Sequence, residues 1–131
     1  MTNTNKKWDG PDLLHVWMLW LDELSLQRII PAIGRNRKAI ETIIWKIPTN
    51  YDNRGAILLS YLTSRSIILN REGRKWTARE VGVLIAWRDN KNPSKGIKRL
   101  TIDEISILLG KTVGSVNQQL KRMERSGGFG L

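Results

Sequence analysis

The chain repeats itself. From Trp8 it reads WDGPDLLHVWMLWLDE and then LSLQRIIPAIGRNRKAIETIIWKI; from Trp76 it reads WTAREVGVLIAWRDN and, after an insertion, LTIDEISILLGKTVGSVNQQLKRM. Trp8 aligns with Trp76, 68 positions later. The second block aligns 76 positions later: Leu24 with Leu100, Ser25 with Thr101, Leu26 with Ile102, Ile29 with Ile105, Ile33 with Leu109, Gly34 with Gly110 and Ile40 with Val116. The second copy therefore carries eight extra residues between its first and second elements. A repeat of this size restricts the fold sharply. Each copy is expected to be one small supersecondary unit.

Each copy reads as three helices. The first helix of the first copy opens after Asp9 with Pro11 in its first turn, where a missing N–H costs little. Its counterpart opens on Thr77-Ala-Arg-Glu80, a capping box in which Thr and Glu satisfy each other's orphan amides. The second helix starts at Ser25 in one copy and at the capping box Thr101-Ile-Asp-Glu104 in the other. Gly34 and Gly110 then supply the left-handed residue that ends a helix, and Asn36 and Thr112 are placed to cap the third. A short helix, a glycine-bearing turn and a capped following helix make the helix-turn-helix pattern. Pro31 falls inside the second helix, where it removes a hydrogen bond and predicts a bend.

With Trp at the start of helix one followed by L-S/T-x-x-x-I-x-x-x-I/L-G-[KR]-[NT]-x-x-[AS]-[IV], the chain resembles the Myb/SANT-like family of three-helix DNA-binding repeats over residues 8–47 and 76–123. Trp45 stands about where such repeats carry a third tryptophan. The second copy departs from the pattern with Lys121 at that position, Trp87 inside helix one and the insertion. The resemblance implies sequence-selective binding of duplex DNA through helix three of each copy; some members of the family bind proteins instead.

The expected architecture is all-α: two three-helix helix-turn-helix units, 8–47 and 76–123, joined by a connecting helical segment, 48–75. Asp52 or Asn53 is placed to cap a helix through AILLSYL, and Ile67, Ile68 and Leu69 make the segment too apolar for a free linker. Helix one of the first copy explains it. Leu13, Trp17, Trp20 and Leu24 form one apolar stripe, and Leu14, Met18 and Leu21 form a second that a lone unit cannot cover. The connecting helix is expected to cover it, with a dimer interface as the other solution. Residues 124–131, ending SGGFGL, are expected to form a flexible tail.

Charge narrows the partner. The chain has 22 Lys plus Arg against 12 Asp plus Glu, a net +10, and polyanionic nucleic acid is the commonest neutraliser of so basic a small domain. Residues 66–131 carry +7 of this and residues 1–65 carry +3. The absence of cysteine excludes disulfides, thiolate metal sites and cysteine nucleophiles. No apolar run approaches the roughly 20 residues needed to span a bilayer, and MTNTNKKWDG lacks the apolar stretch of a signal peptide. An intracellular setting is expected: cytoplasm beside the nucleoid, the host cell for a viral protein, or the nucleus in a eukaryote.

On the polar face of helix three, the second copy presents Gly114, Asn117, Gln118, Lys121 and Arg122, opposite Val113, Val116, Leu120 and Met123. Asn and Gln match adenine edges and Lys and Arg match guanine, while Gly114 permits close approach. The first copy presents Arg37, Lys38, Glu41, Thr42 and Lys46 there, and Arg35 and Lys111 lie in the two turns. Phosphate contacts are expected from the insertion 89–99, with Lys91, Lys95, Lys98 and Arg99, and from Arg71, Arg74 and Lys75 before Trp76. Nothing points to catalysis. His15 is the only histidine, Asp103 and Glu104 serve a cap, no phosphate-cradling loop is present, and no metal or cofactor is expected. The expected partner is double-stranded DNA, bound with sequence preference by a transcription regulator. The rival expectation is an adaptor that binds RNA polymerase or another DNA-bound protein, as in viral packaging or partition.

Overall fold

The computed structural model describes residues 7–90 and 98–125. These form seven α-helices and no strand: α1 Gly10–Leu21, α2 Leu26–Ile33, α3 Arg37–Thr49, α4 Arg54–Ser64, α5 Ala78–Asp89, α6 Ile102–Leu109 and α7 Val113–Arg125. A 3₁₀ turn, Tyr51–Asn53, joins α3 to α4. The offsets that align the sequence also align the helices. α1 and α5 have 12 residues each, α2 and α6 have 8, and α3 and α7 have 13.

Local chemistry sets these bounds. The Asp9 carboxylate accepts from the Asp12 amide at the start of α1, and both capping boxes are closed, Thr77 with Glu80 and Thr101 with Glu104. Gly34 and Gly110 end α2 and α6 in the left-handed region, at φ of 79° and 65°. Asn36 then accepts from the Ala39 amide, and Thr112 from the Ser115 amide, to start α3 and α7. α2 continues through Pro31, which is exposed, and α3 runs past Pro48 to Thr49.

Two expectations need correction. Asn53 stands at the N-cap of α4 but, like Asp52, has a left-handed backbone and makes no side-chain capping bond; the Asn50 side-chain oxygen instead accepts from the Ala56 amide at 2.8 Å. Nor does the second stripe of α1 go under as a unit. Full burial follows Leu13, Val16, Trp17 and Leu21, while Leu14, Met18, Trp20 and Leu24 are half-buried.

α4 packs against α1, α3 and α6. It approaches α1 closely because Gly10 has no side chain: a Cβ there would come within 2.5 Å of the Tyr61 ring. α1, α2 and α3 all pack on one another, and α3 and α1 also pack on α5. α7 packs on α6, and α6 packs on α5. One core takes buried side chains from every helix, from Leu13 and Trp17 on α1 to Val116 and Met123 on α7. Polar bonds tie distant parts of the chain across it. The Trp17 indole donates to the Leu108 carbonyl at 2.8 Å, the Asn50 amide to the Lys98 carbonyl at 2.8 Å and the Asn90 amide to the Thr49 carbonyl at 3.0 Å.

Candidate nucleic-acid interface

At 100° per residue, positions 114, 117, 118, 121 and 125 of α7 fall on one arc, with 122 at its edge. Gly114, Asn117, Gln118, Lys121, Arg122 and Arg125 are all exposed there, and Val116, Gln119 and Met123 are buried behind them. Among the described residues, no carboxylate lies within ion-pair distance of Lys121, Arg122 or Arg125. Lys121, Arg122, Arg125 and Gln118 border one shallow cavity of about 190 Å³. Arg125 belongs to this face and to α7, rather than to the tail expected over 124–131. Its spacing of four from Lys121 and seven from Gln118 is the signal that would have found it.

The α7 amino terminus is held from outside the helix. Glu72 accepts from the Thr112 amide at 2.9 Å and from the Ser115 hydroxyl. The Ser115 bond, then the Thr112 bond, hold the Glu72 carboxyl below its ordinary pKa.

The corresponding face of α3 differs in chemistry. Arg37, Lys38, Glu41 and Thr42 are exposed, yet Arg37 is paired with Glu41 at 3.3 Å. Lys46 is half-buried, paired with Asp52 at 2.8 Å and set over the Tyr51 ring. The middle of this face is Trp45, 50% exposed and tilted against Tyr51. Where α7 offers amides and unpaired cations, α3 offers an aromatic ring among largely neutralised charges.

Three cations expected at the interface are buried instead. Arg35 lies over the Trp8 ring at 3.9 Å, is paired with Asp12 at 3.3 Å and donates to the Lys7 carbonyl. In the second copy Lys111 lies over the Trp76 ring at 5.1 Å and 3.9 Å from Glu80, and donates to the carbonyls of Arg71 and Arg74. Trp8 and Trp76, Asp12 and Glu80, and Arg35 and Lys111 are equivalent positions of the repeat, so one tryptophan–acid–cation triad occurs twice. The cation after the turn glycine reaches back to clamp the start of the first helix, which removes it from solvent. Arg71 is the third. Its guanidinium donates to Glu80 at 2.8 Å, to Asp22 at 2.6 Å and to the Leu21 carbonyl at 2.9 Å. Burial opposes the Arg71 charge, but the bonds from Glu80 and Asp22 outweigh it and raise the pKa.

Arg99 is also committed. It lies over the Trp87 ring and donates to the carbonyls of Trp87 and Arg88 at 2.9 Å, closing the last turn of α5. Arg74, Lys75 and Lys98 are exposed, as expected of phosphate contacts. Lys91 and Lys95 lie outside the described residues, as does the end of the expected tail from 126. His15 is exposed on α1, and among the described residues no three His, Cys, Asp or Glu side chains are grouped to hold a metal. No described helix is long and apolar enough to cross a membrane.

No family model, curated protein or solved structure matches this chain. The internal repeat is therefore its nearest standard of comparison, and there the two copies share helix lengths, turns and the clamped triad while their outward faces have diverged.

Proposed function

We propose that this protein binds double-stranded DNA with sequence preference and serves as a transcription regulator, with α7 as its principal reading helix. The observation that carries this is the outward face of α7: two amides and three cations without carboxylate partners among the described residues, on a helix that follows a glycine turn. Asn117 and Gln118 suit paired hydrogen bonds to adenine, and Lys121, Arg122 and Arg125 suit guanine or flanking phosphate. Gly114 leaves the first turn bare, so the backbone can enter the groove closely. Arg74, Lys75 and Lys98 are exposed for phosphate contacts, which supply affinity without sequence information. α3 contributes less, through Lys38 and Thr42, because its other cations are paired. The Myb/SANT-like resemblance leads to the same reading by a separate route.

The test is selection of a site from random duplexes, followed by titration of variants at several salt concentrations. If four to eight phosphates are neutralised, log affinity falls with log salt at a slope of roughly −4 to −7. Replacing Asn117 and Gln118 by Ala costs ~1–3 kcal/mol per lost base contact on the selected site and little on random DNA. Replacing Lys75 and Lys98 weakens all duplexes alike and makes the slope shallower by about one unit per lost contact. A slope near zero, or no duplex binding at low salt, defeats the DNA reading. A change of site preference in the lysine variant alone would move the reading element off α7.

A further inference from the structure

Between α3 and α5 lies a cavity of about 470 Å³, within the roughly 300–1,000 Å³ typical of small-molecule sites. It sits where the two copies of the repeat meet and has no part in the α7 face. Trp20, Trp45 and Pro48 line it from the first copy, and Ala78, Gly82 and Ala86 from α5. The small residues recur every four positions, so α5 turns its barest side to the cavity and leaves the room that two indole rings and a proline wall in.

Two charged side chains, Arg79 and Glu41, interrupt this apolar lining. Arg79 is half-buried, its guanidinium 3.8 Å above the Trp20 ring. It donates from a single nitrogen, Nη1, to the carbonyls of Trp20 at 2.9 Å and Leu24 at 2.6 Å. Among the described residues no carboxylate lies within ion-pair distance of it, and Nε and Nη2 have no partner. These two atoms are the pair that grips a carboxylate in a fork. Neither is sealed from solvent, since among the described residues the only such orphaned buried atom is Nε of Arg54. Glu41, the one acid lining the cavity, is exposed and paired with Arg37. Arg35, Arg71 and Lys111 are buried in contact with acids, whereas Arg79 is partly desolvated with no ion pair among the described residues, Glu23 acting on it only from beyond contact.

We infer that this cavity binds a small apolar carboxylate of aryl type, its ring between Trp20, Trp45 and the bare side of α5 and its carboxylate on the free edge of Arg79. Burial pushes the Arg79 guanidinium below its ordinary pKa, with the Glu23 charge opposing, and a bound carboxylate would relieve that penalty. An aromatic ring matches the flat indole walls, and the size suits a bicyclic molecule better than a peptide helix, which needs a longer groove.

The experiment titrates the full chain with 2-naphthoate and with its neutral counterpart 2-naphthamide, following the indole N–H resonances of the six tryptophans by NMR. 2-Naphthoate is expected to give saturable shifts of Trp20 and Trp45, with Trp17 and Trp87 unmoved, and the amide to bind at least ~10-fold more weakly. Gly82→Leu fills the cavity from a position where an added Cβ meets nothing within 4 Å, so the fold survives and binding is lost. Arg79→Gln keeps the ring contacts and abolishes the preference for the acid over the amide. Four results would each overturn the inference: no saturable shift at millimolar ligand, equal binding of acid and amide, undiminished binding by Gly82→Leu, or a preference for the acid that survives in Arg79→Gln.

Discussion

Glu80 shows how much rests on single side chains in this protein. It is almost fully buried, yet it closes the capping box of α5, receives the Arg71 guanidinium and stands 3.9 Å from the Lys111 ammonium. Two cations over one acid in a dry place are tolerable only while the acid is present. Glu80→Ala is expected to lower stability by ~3–5 kcal/mol, read from the urea midpoint at constant slope. Asp12, the equivalent acid of the first copy, has a side chain 30% exposed, and Asp12→Ala should cost clearly less because water can replace it on Arg35. Equal losses would mean that burial does not set the value of the acid. Glu72 makes a prediction in pH. Its folded pKa is lowered, so its contribution is present above the unfolded carboxylate value of about 4.3 and is lost as pH falls through the folded value. The stability difference between the parent and Glu72→Gln should therefore be largest near neutrality and shrink below about pH 4.3, as measured by urea unfolding at each pH. A difference that holds constant into acid would place the Glu72 contribution elsewhere than in its charge.

At the scale of elements, two glycines on neighbouring helices have opposite consequences. Gly110 ends α6 at φ 65°, and a Cβ there would collide with the Leu69 carbonyl oxygen, because residues 69–71 run directly across the turn. Left-handed backbone costs a non-glycine residue roughly 1–3 kcal/mol, and the collision adds to it. Gly82 lies inside α5, exposed and with open space around its missing Cβ. Gly110→Ala should lose at least ~2 kcal/mol, and Gly82→Ala should gain ~0.5–1 kcal/mol through a better helix former. Thermal unfolding of the two variants gives the signs directly. A stabilised Gly110→Ala would mean that the turn between α6 and α7 does not need its left-handed residue.

For the whole molecule, the question is whether the copies are separable. α4 lies against helices of both copies, and the Trp17 indole of the first donates to the Leu108 carbonyl of the second. Neither half encloses its own core. Cutting the chain between Asn53 and Gly55 divides Asn50 from the Ala56 amide that it caps and strips α4 from α1 and α3. Gly55 also sits tight against the Ile47 carbonyl, a contact available only when both sides are present. The separate pieces should aggregate or show little helix by circular dichroism, whereas the mixed pieces should recover helix together. Two halves that stay soluble and helical alone would show independent units on a linker.

Local sequence specifies the helices, the turns and the capping boxes, though not the Asn50 bond that starts α4. These are local matters: a cap acts over three residues, a glycine turn over one, and apolar spacing over a turn or two, so short stretches such as Thr101-Ile-Asp-Glu104 carry their outcome within them. The exposed face of α7 was legible for the same reason, since helical spacing alone puts Asn117, Gln118 and Lys121 opposite Val116 and Met123. The fate of each cation, by contrast, depends on packing between distant parts of the chain. Arg35 and Lys111 sit in turns that read as open to solvent, and Arg71 in a connecting segment that reads the same way. Their burial depends on acids and rings brought up from elsewhere in the chain: Asp12 and Trp8 for Arg35, Glu80 and Trp76 for Lys111, and Glu80 with Asp22 for Arg71. Local pattern cannot rank such partners, because the cost of desolvating a charge is settled only when the whole fold says what stands beside it. Arg79 is the same question with the opposite answer, a cation that the fold half-buried and left without an ion pair among the described residues.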